Sequence, residues 1–137
     1  MTKIKTSELQ GAALDWAVAS FVENLDAYPK EGGGFEIQRT QLDEFLEIGT
    51  EYSPSTDWSQ GGPLIKNELI TITPHTWDEG PALRCCWCAV KAIYGVFDGP
   101  KEHLNKKHYG PTPLIAACRA IVAAKMGDEV DVPEELV

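Results

Sequence analysis

The sequence predicts an α+β fold: a small antiparallel sheet packed with two main helices, N-terminal and C-terminal, plus a short acidic helix. Three observations lead there. Apolar residues recur at helical spacing near both ends of the chain. Two alternating runs rich in β-branched, aromatic or apolar residues occupy the middle. Turns rich in Pro and Gly separate these segments. A chain of 137 residues can bury a core without disulfides or metal, and residues 1–137 are read as one domain.

The opening residues Met1 to Lys5 lead straight into the first helix pattern. Ser7 is the expected cap, with Gln10 returning the capping-box bond. Leu9, Ala12, Ala13, Trp16, Ala17 and then Ser20 or Phe21 form the apolar stripe, and the helix should end near Asn24–Asp26, before Tyr28-Pro29. Gly32-Gly33-Gly34 is a flexible turn, and Phe35 to Ile37 a short strand. Thr40 is placed to cap the acidic helix Gln41 to Ile48, which Gly49 closes. Residues 52–63 read as a loop.

The first long strand is expected over Leu64 to Thr73, where Leu69-Ile70-Thr71-Ile72-Thr73 is β-branched and alternating. Asp78-Glu79-Gly80-Pro81 marks a reversal, and Leu83 to Phe97 carries the second strand. On that strand the face with Cys86, Cys88, Val90 and Ala92 is more apolar than the face with Cys85, Trp87, Ala89 and Lys91, and is expected to be buried. Asp98-Gly99-Pro100 is a turn, and Lys101 to His108 a basic, mobile connection. The last helix has the sharpest limits: Thr112 at N-cap, Pro113 at N1, an apolar stripe from Leu114 to Lys125 or Met126, and Gly127 at C′. Val130, Val132 and Leu136 give the acidic tail apolar positions to lay on the surface.

Charge narrows the function classes. The formal net charge is −9, against a nucleic-acid-binding surface, which needs clustered Lys and Arg. The imbalance is uneven: residues 1–57 carry −7, residues 58–110 carry +1 and the last 27 residues −3. No run approaches the ~20 apolar residues of a membrane span, and the start lacks the apolar stretch of a signal peptide. The expected compartment is the cytoplasm, with the four cysteines as thiols.

Two stretches hold more shape and polarity than packing requires: Tyr52-Ser53-Pro54-Ser55-Thr56-Asp57-Trp58-Ser59-Gln60-Gly61-Gly62-Pro63, and Tyr109-Gly110-Pro111-Thr112-Pro113-Leu114-Ile115. Each sets an aromatic beside Pro, Gly and hydroxyl residues, the usual material of a binding loop. Trp58 is expected either as the lid of a pocket or packed beneath the last helix. The start of that helix also offers free N–H groups to an anion, with Lys106, Lys107 and His108 just upstream, although a plain structural N-cap explains Thr112 first.

No catalytic set accompanies these stretches, so no catalytic residue is assigned. Ser53, Ser55 or Ser59 could be paired with His108 and Asp57, yet there is no GxSxG elbow and no oxyanion-hole context. Asp57 as a general base competes with Asp57 as an Asx-turn acceptor, and the latter is favoured. Cys85, Cys86 and Cys88, with His75, His103 or His108, suggest zinc. However, neighbours on a strand point to opposite faces and no CxxC spacing exists, so neither metal nor cofactor is expected.

Lys5 to Ala19, with Leu9-Gln10-Gly11-Ala12-Ala13-Leu14-Asp15-Trp16-Ala17-Val18-Ala19 at its heart, resembles the opening of the phage NinX-like family. Tyr52 to Pro63 is similar to that family's central motif. Gly110 to Arg119, followed by Gly127-Asp128-Glu129-Val130 and Pro133, is similar to its C-terminal motif. The motifs cover roughly a third of the chain, in order, whereas residues 18–51 and 74–108 show no such likeness. The resemblance implies a phage or prophage origin, action in the host cytoplasm and an accessory role; it implies no reaction.

Three functions are therefore carried forward. The first is a non-enzymatic binding module in which Tyr52, Ser55, Thr56, Asp57, Trp58 and Gln60 meet Tyr109, Thr112 and Arg119 around one small, nucleotide-like anion of the host. The second is an interaction factor whose acidic half, with Asp43, Glu44 and Glu47, inhibits a host protein. The third is a small hydrolase using Asp57 or His108. An edge strand in so small a sheet can also recruit a second copy as a homodimer.

Overall fold

The computed structural model describes residues 1–37, 52–75, 86–91 and 106–137. Along the chain run β1 (Thr2–Lys5), a 3-10 turn (Thr6–Glu8), α1 (Gly11–Ala17) extended by a π turn (Val18–Val22), β2 (Ala27–Pro29), β3 (Phe35–Ile37), α2 (Trp58–Asn67), β4 (Ile70–His75), β5 (Cys86–Lys91), β6 (Lys107–Gly110), α3 (Pro113–Met126), β7 (Glu129–Val132) and a last 3-10 turn (Glu134–Leu136). Among the described residues the strands form antiparallel sheets of order β1-β7, β2-β3 and β4-β5-β6. The class is α+β, as the patterning indicates. The acidic helix expected over Gln41 to Ile48 and the turns at Asp78 to Pro81 and Asp98 to Pro100 lie outside the described residues.

The organising element is α3. Its boundaries are set locally: Thr112 Oγ1 accepts the Ile115 N–H at 3.2 Å, Pro113 opens the helix and Gly127, with φ of 90°, ends it. Leu114, Ala116, Ala117, Cys118, Ala120, Ile121, Val122, Ala123 and Ala124 are all buried, so the helix is apolar nearly all round, as a central helix must be. The three-stranded sheet packs on it, and α1 with its π turn also packs on it. Leu9, Leu14, Val18, Ile70, Ala89, Ile121, Val130 and Val132 belong to the same core.

Several expectations need correcting. The first is the chain's start, which is a strand. Thr2 to Lys5 pairs with Val132 to Glu129, and this closes β7 over the core with Val130 and Val132 inward. Thr6 then turns away, with its N–H and Oγ1 both donating at 2.7 Å, to the carbonyls of Asp128 and Gly127. Ser7 is consequently in a 3-10 turn and caps nothing. The helix begins at Gly11 after an extended Gln10, and it ends in a π turn at Val22, before the expected Asn24–Asp26. The Trp16 indole N–H reaches Ala27 O at 3.1 Å, and Phe21 meets its ring edge-on at 5.4 Å.

The second correction concerns residues 58–69. Trp58 to Asn67 is helical rather than loop, so the expected strand Leu64–Thr73 yields its first residues to α2 and begins only at Ile70. Third, the core face of β5 is the one bearing Ala89 and Trp87. The register Ile72↔Ala89↔His108 puts these positions toward α3, and Cys88, although buried, lies on the other face. Lys91 can share the inward face because its Nζ reaches the Glu68 carbonyl at 2.8 Å and carboxylate at 2.9 Å. Finally, Lys107 and His108 belong to β6, not to a mobile connection.

Candidate functional site

The two polar stretches have different fates. Around Tyr52–Gln60 most polar groups bond within the stretch. Ser53 O accepts the N–H groups of Thr56 (3.1 Å) and Asp57 (2.9 Å), and Ser53 N–H donates to Gln60 Oε1 at 2.6 Å. Asp57 Oδ1 accepts both the Ser59 N–H (2.9 Å) and the Ser59 hydroxyl (2.7 Å), capping α2. Those two bonds hold the Asp57 carboxyl below its ordinary range, the hydroxyl bond contributing most. The Asx role foreseen for Asp57 is the one it has.

Three chain segments lock together beneath this turn. Ser55 N–H donates to Asp15 Oδ1 of α1 at 2.8 Å, and both residues are buried. Gly61 packs onto the Pro54 carbonyl and Leu114 of α3, with no room for a Cβ. Arg119 of α3 returns to the first segment, its Nε donating to Leu9 O at 2.8 Å. Tyr52 is buried here too, and its phenol is pushed up by burial and by the nearby Glu23, Cys118 and Asp15.

Two cavities flank the seam. The smaller, about 470 Å³, lies between α1, the β2–β3 hairpin and the turn, with Asp15, Lys30, Glu36, Tyr52, Ser53 and Thr56 among its walls. The larger, about 760 Å³, is a cleft along β6. Residues 106–111 line it consecutively, so it follows that strand for its whole length. Lys5, Thr6 and Ser7 with Asp128 and Glu129 form the opposite wall, and Arg119 and Ala123 of α3 contribute from the core side. Gly110 lets β6 press against the first turn of α3, since a Cβ there would come within 2.6 Å of Ala116 N.

Tyr52 and Thr56 thus line one cavity, and Tyr109 and Arg119 line the other. Ser55, Asp57, Gln60 and Thr112 use polar groups to hold turns and helix starts. Trp58 stands at the first turn of α2, 57% exposed, and is not packed beneath α3.

The cleft is electropositive in an acidic chain. Lys5, Lys106, Lys107 and Arg119 are four of the twelve Lys and Arg residues, against only Asp128 and Glu129 of the twenty-one acids. Lys106 meets Asp128 loosely at 4.0 Å, both side chains well exposed. Arg119 is only partly exposed, and its Nη1 donates to Tyr109 O at 3.0 Å while Nε holds Leu9 O. Both partners are neutral carbonyls, and burial lowers the Arg119 pKa. Among the described residues no carboxylate pairs with this guanidinium. Sequence reading finds Tyr109, Arg119, Lys106 and Lys107. It misses Lys5, whose place on the cleft depends on β1 pairing with a strand more than a hundred residues away.

Cys86, Cys88 and Cys118 are thiols outside any disulfide, and Cys85 lies outside the described residues, as do Asp43, Glu44, Glu47 and His103. Among the described residues no three His, Cys, Asp or Glu side chains converge on a point that could hold a metal, and no helix is long and apolar enough to cross a membrane.

Fold and cleft define a small acidic α+β protein with a basic groove among its described residues. Residues 5–125 match the model of the family described as Bacteriophage P22, NinX, and the chain belongs to that family. It is accordingly a phage accessory protein. Comparison with curated proteins gives no match.

Proposed function

We propose that this phage accessory protein is a non-enzymatic binding module that takes a small, nucleotide-sized anion of the host cytoplasm into the cleft along β6. One observation carries the reading. The Arg119 guanidinium is half-withdrawn from water, bonded to two neutral carbonyls and without a carboxylate partner among the described residues, on the wall of a cleft of about 760 Å³. Cations that leave water normally meet an anion, and the neighbouring Lys5 and Lys107 add to the attraction. The volume of about 760 Å³ suits a small ligand rather than a macromolecular face.

Native mass spectrometry of the protein purified from phage-infected host cells tests this directly. A retained small anion is expected, lost after denaturation and reduced in the Arg119→Gln variant. A protein that emerges with nothing bound, and that gains no stability from a host metabolite extract, would rule the reading out.

A further inference from the structure

Resting on that reading, we infer that the anion is a phosphate monoester carried on a planar ring, that is, a mononucleotide: its phosphate lies among Arg119, Lys107 and Lys5, and its base lies on Tyr109.

Charge selects the phosphate. The cleft's four cationic side chains exceed its two carboxylates by two charges. A phosphate monoester carries about −1.5 to −2 at pH 7, whereas a carboxylate carries half that and leaves a positive charge unanswered in a partly desolvated site. Arg119 has more N–H donors than its two carbonyl bonds use, and the planar fork that remains suits phosphate oxygens. Lys107 lines the same cleft and gives up no ion pair to join, since among the described residues its ammonium has none. Lys106 is already shared with Asp128.

The ring follows from register. β6 alternates, so His108 and Gly110 face α3 while Lys107 and Tyr109 share the opposite face with Cys86 and Cys88 of β5. Tyr109 is 40% exposed and lines the cleft. Its Cα therefore stands two residues along the strand from that of Lys107, roughly 7 Å by strand geometry, a spacing comparable to the reach from a base to its 5′-phosphate. Aromatic rings exposed in a basic groove are standard platforms for bases.

Calorimetric titration of the full chain with the four ribonucleoside 5′-monophosphates, the matching nucleosides, ribose 5-phosphate and inorganic phosphate tests both halves. At least one monophosphate should bind about tenfold or more tightly than its nucleoside and than ribose 5-phosphate. Lys107→Gln, at an exposed position, should remove about tenfold from the monophosphate without lowering the melting temperature, and Tyr109→Leu should reduce the monophosphate to the level of ribose 5-phosphate. A nucleoside binding as tightly as its monophosphate overturns the inference, as does inorganic phosphate matching the nucleotide. If a different anion is retained from infected cells while no nucleotide binds, the mononucleotide is overturned and the binding module stands. If nothing is retained and nothing binds, both fall.

Discussion

Asp15, in the middle of α1, accepts the backbone N–H of Ser55 on Oδ1 at 2.8 Å, and both residues are buried, at 5% and 2% exposure. The bond crosses forty residues of sequence and fixes the Pro54–Thr56 turn against the first helix. The turn in turn presents its Pro54 carbonyl to Gly61, which brings α2 onto α3. The Asp15 carboxylate thus helps to set the position of α2 on α3.

Asp15→Ala should be strongly destabilising, because the Ser55 N–H would be left buried without an acceptor. A loss of about 1–3 kcal/mol is expected in urea unfolding, with Asp15→Asn milder because its amide oxygen can still accept. A loss below about 0.5 kcal/mol for the alanine variant would show that the turn is held by its own internal bonds.

Gly61 and Gly62 are neighbours in α2, and replacing them by Ala should have opposite signs. A Cβ on Gly61 collides with the Pro54 carbonyl and comes within 2.6 Å of Leu114 Cδ2. Because backbone cannot step aside cheaply, Gly61→Ala should cost about 2 kcal/mol or more despite the better helix propensity of Ala. A Cβ on Gly62 meets nothing within 4 Å, so Gly62→Ala should gain about 0.5–1 kcal/mol. Thermal melts of the two variants give the comparison, and two changes of the same sign would contradict the packing described.

The same glycines explain what could be read in advance. Gly-Gly-Pro is a poor local helix sequence, so residues 58–63 look like a loop; the reason for Gly61 is a contact with α3, which no window of sequence contains. In α3 local and global signals agree, since Thr112, Pro113 and Gly127 specify the ends by their own chemistry, and its limits are legible. β1 is illegible for the reason that β7 is its partner, and Ser7 looks like a cap only if that strand is not seen. The cleft divides in the same way. Tyr109, Arg119 and the Lys106-Lys107 pair lie within fourteen residues and can be seen together, whereas Lys5 arrives through the fold.

Trp58 is the exposed end of a polar stretch otherwise turned inward. Trp58→Ala should change stability by no more than about 0.5 kcal/mol, because 57% of the residue already meets solvent and the Asp57 cap is untouched. Mononucleotide binding along β6 should be equally unaffected, as Trp58 is not among the cleft's lining residues. Parallel urea and titration curves check both points; a large loss in either would place the indole in a contact that its exposure does not indicate.

Alkaline pH should unfold the protein through its buried acids. Burial, reinforced by Asp15, pushes the Cys118 thiol from an ordinary 9.0 up to about 12, and burial with Glu23, Cys118 and Asp15 pushes the Tyr52 phenol above its ordinary 10.0. In the unfolded chain both protons leave at their ordinary values, while in the native state both stay on. Between about pH 9 and 12 the unfolded state therefore binds fewer protons, and stability falls as pH rises. Below pH 9 neither group contributes any slope. A loss of several kcal/mol across that window is expected, at roughly 1.4 kcal/mol per pH unit for each group held protonated, read from urea midpoints at stepped pH. Tyr52→Phe removes one of the two groups and should flatten the fall. The Cys118 thiol should also resist a disulfide reagent at pH 8 until urea exposes it, while Cys86, which is only partly buried, reacts in the native state. Rapid native labelling of Cys118 would mean that α3 opens locally, and the alkaline loss would then begin well before global unfolding.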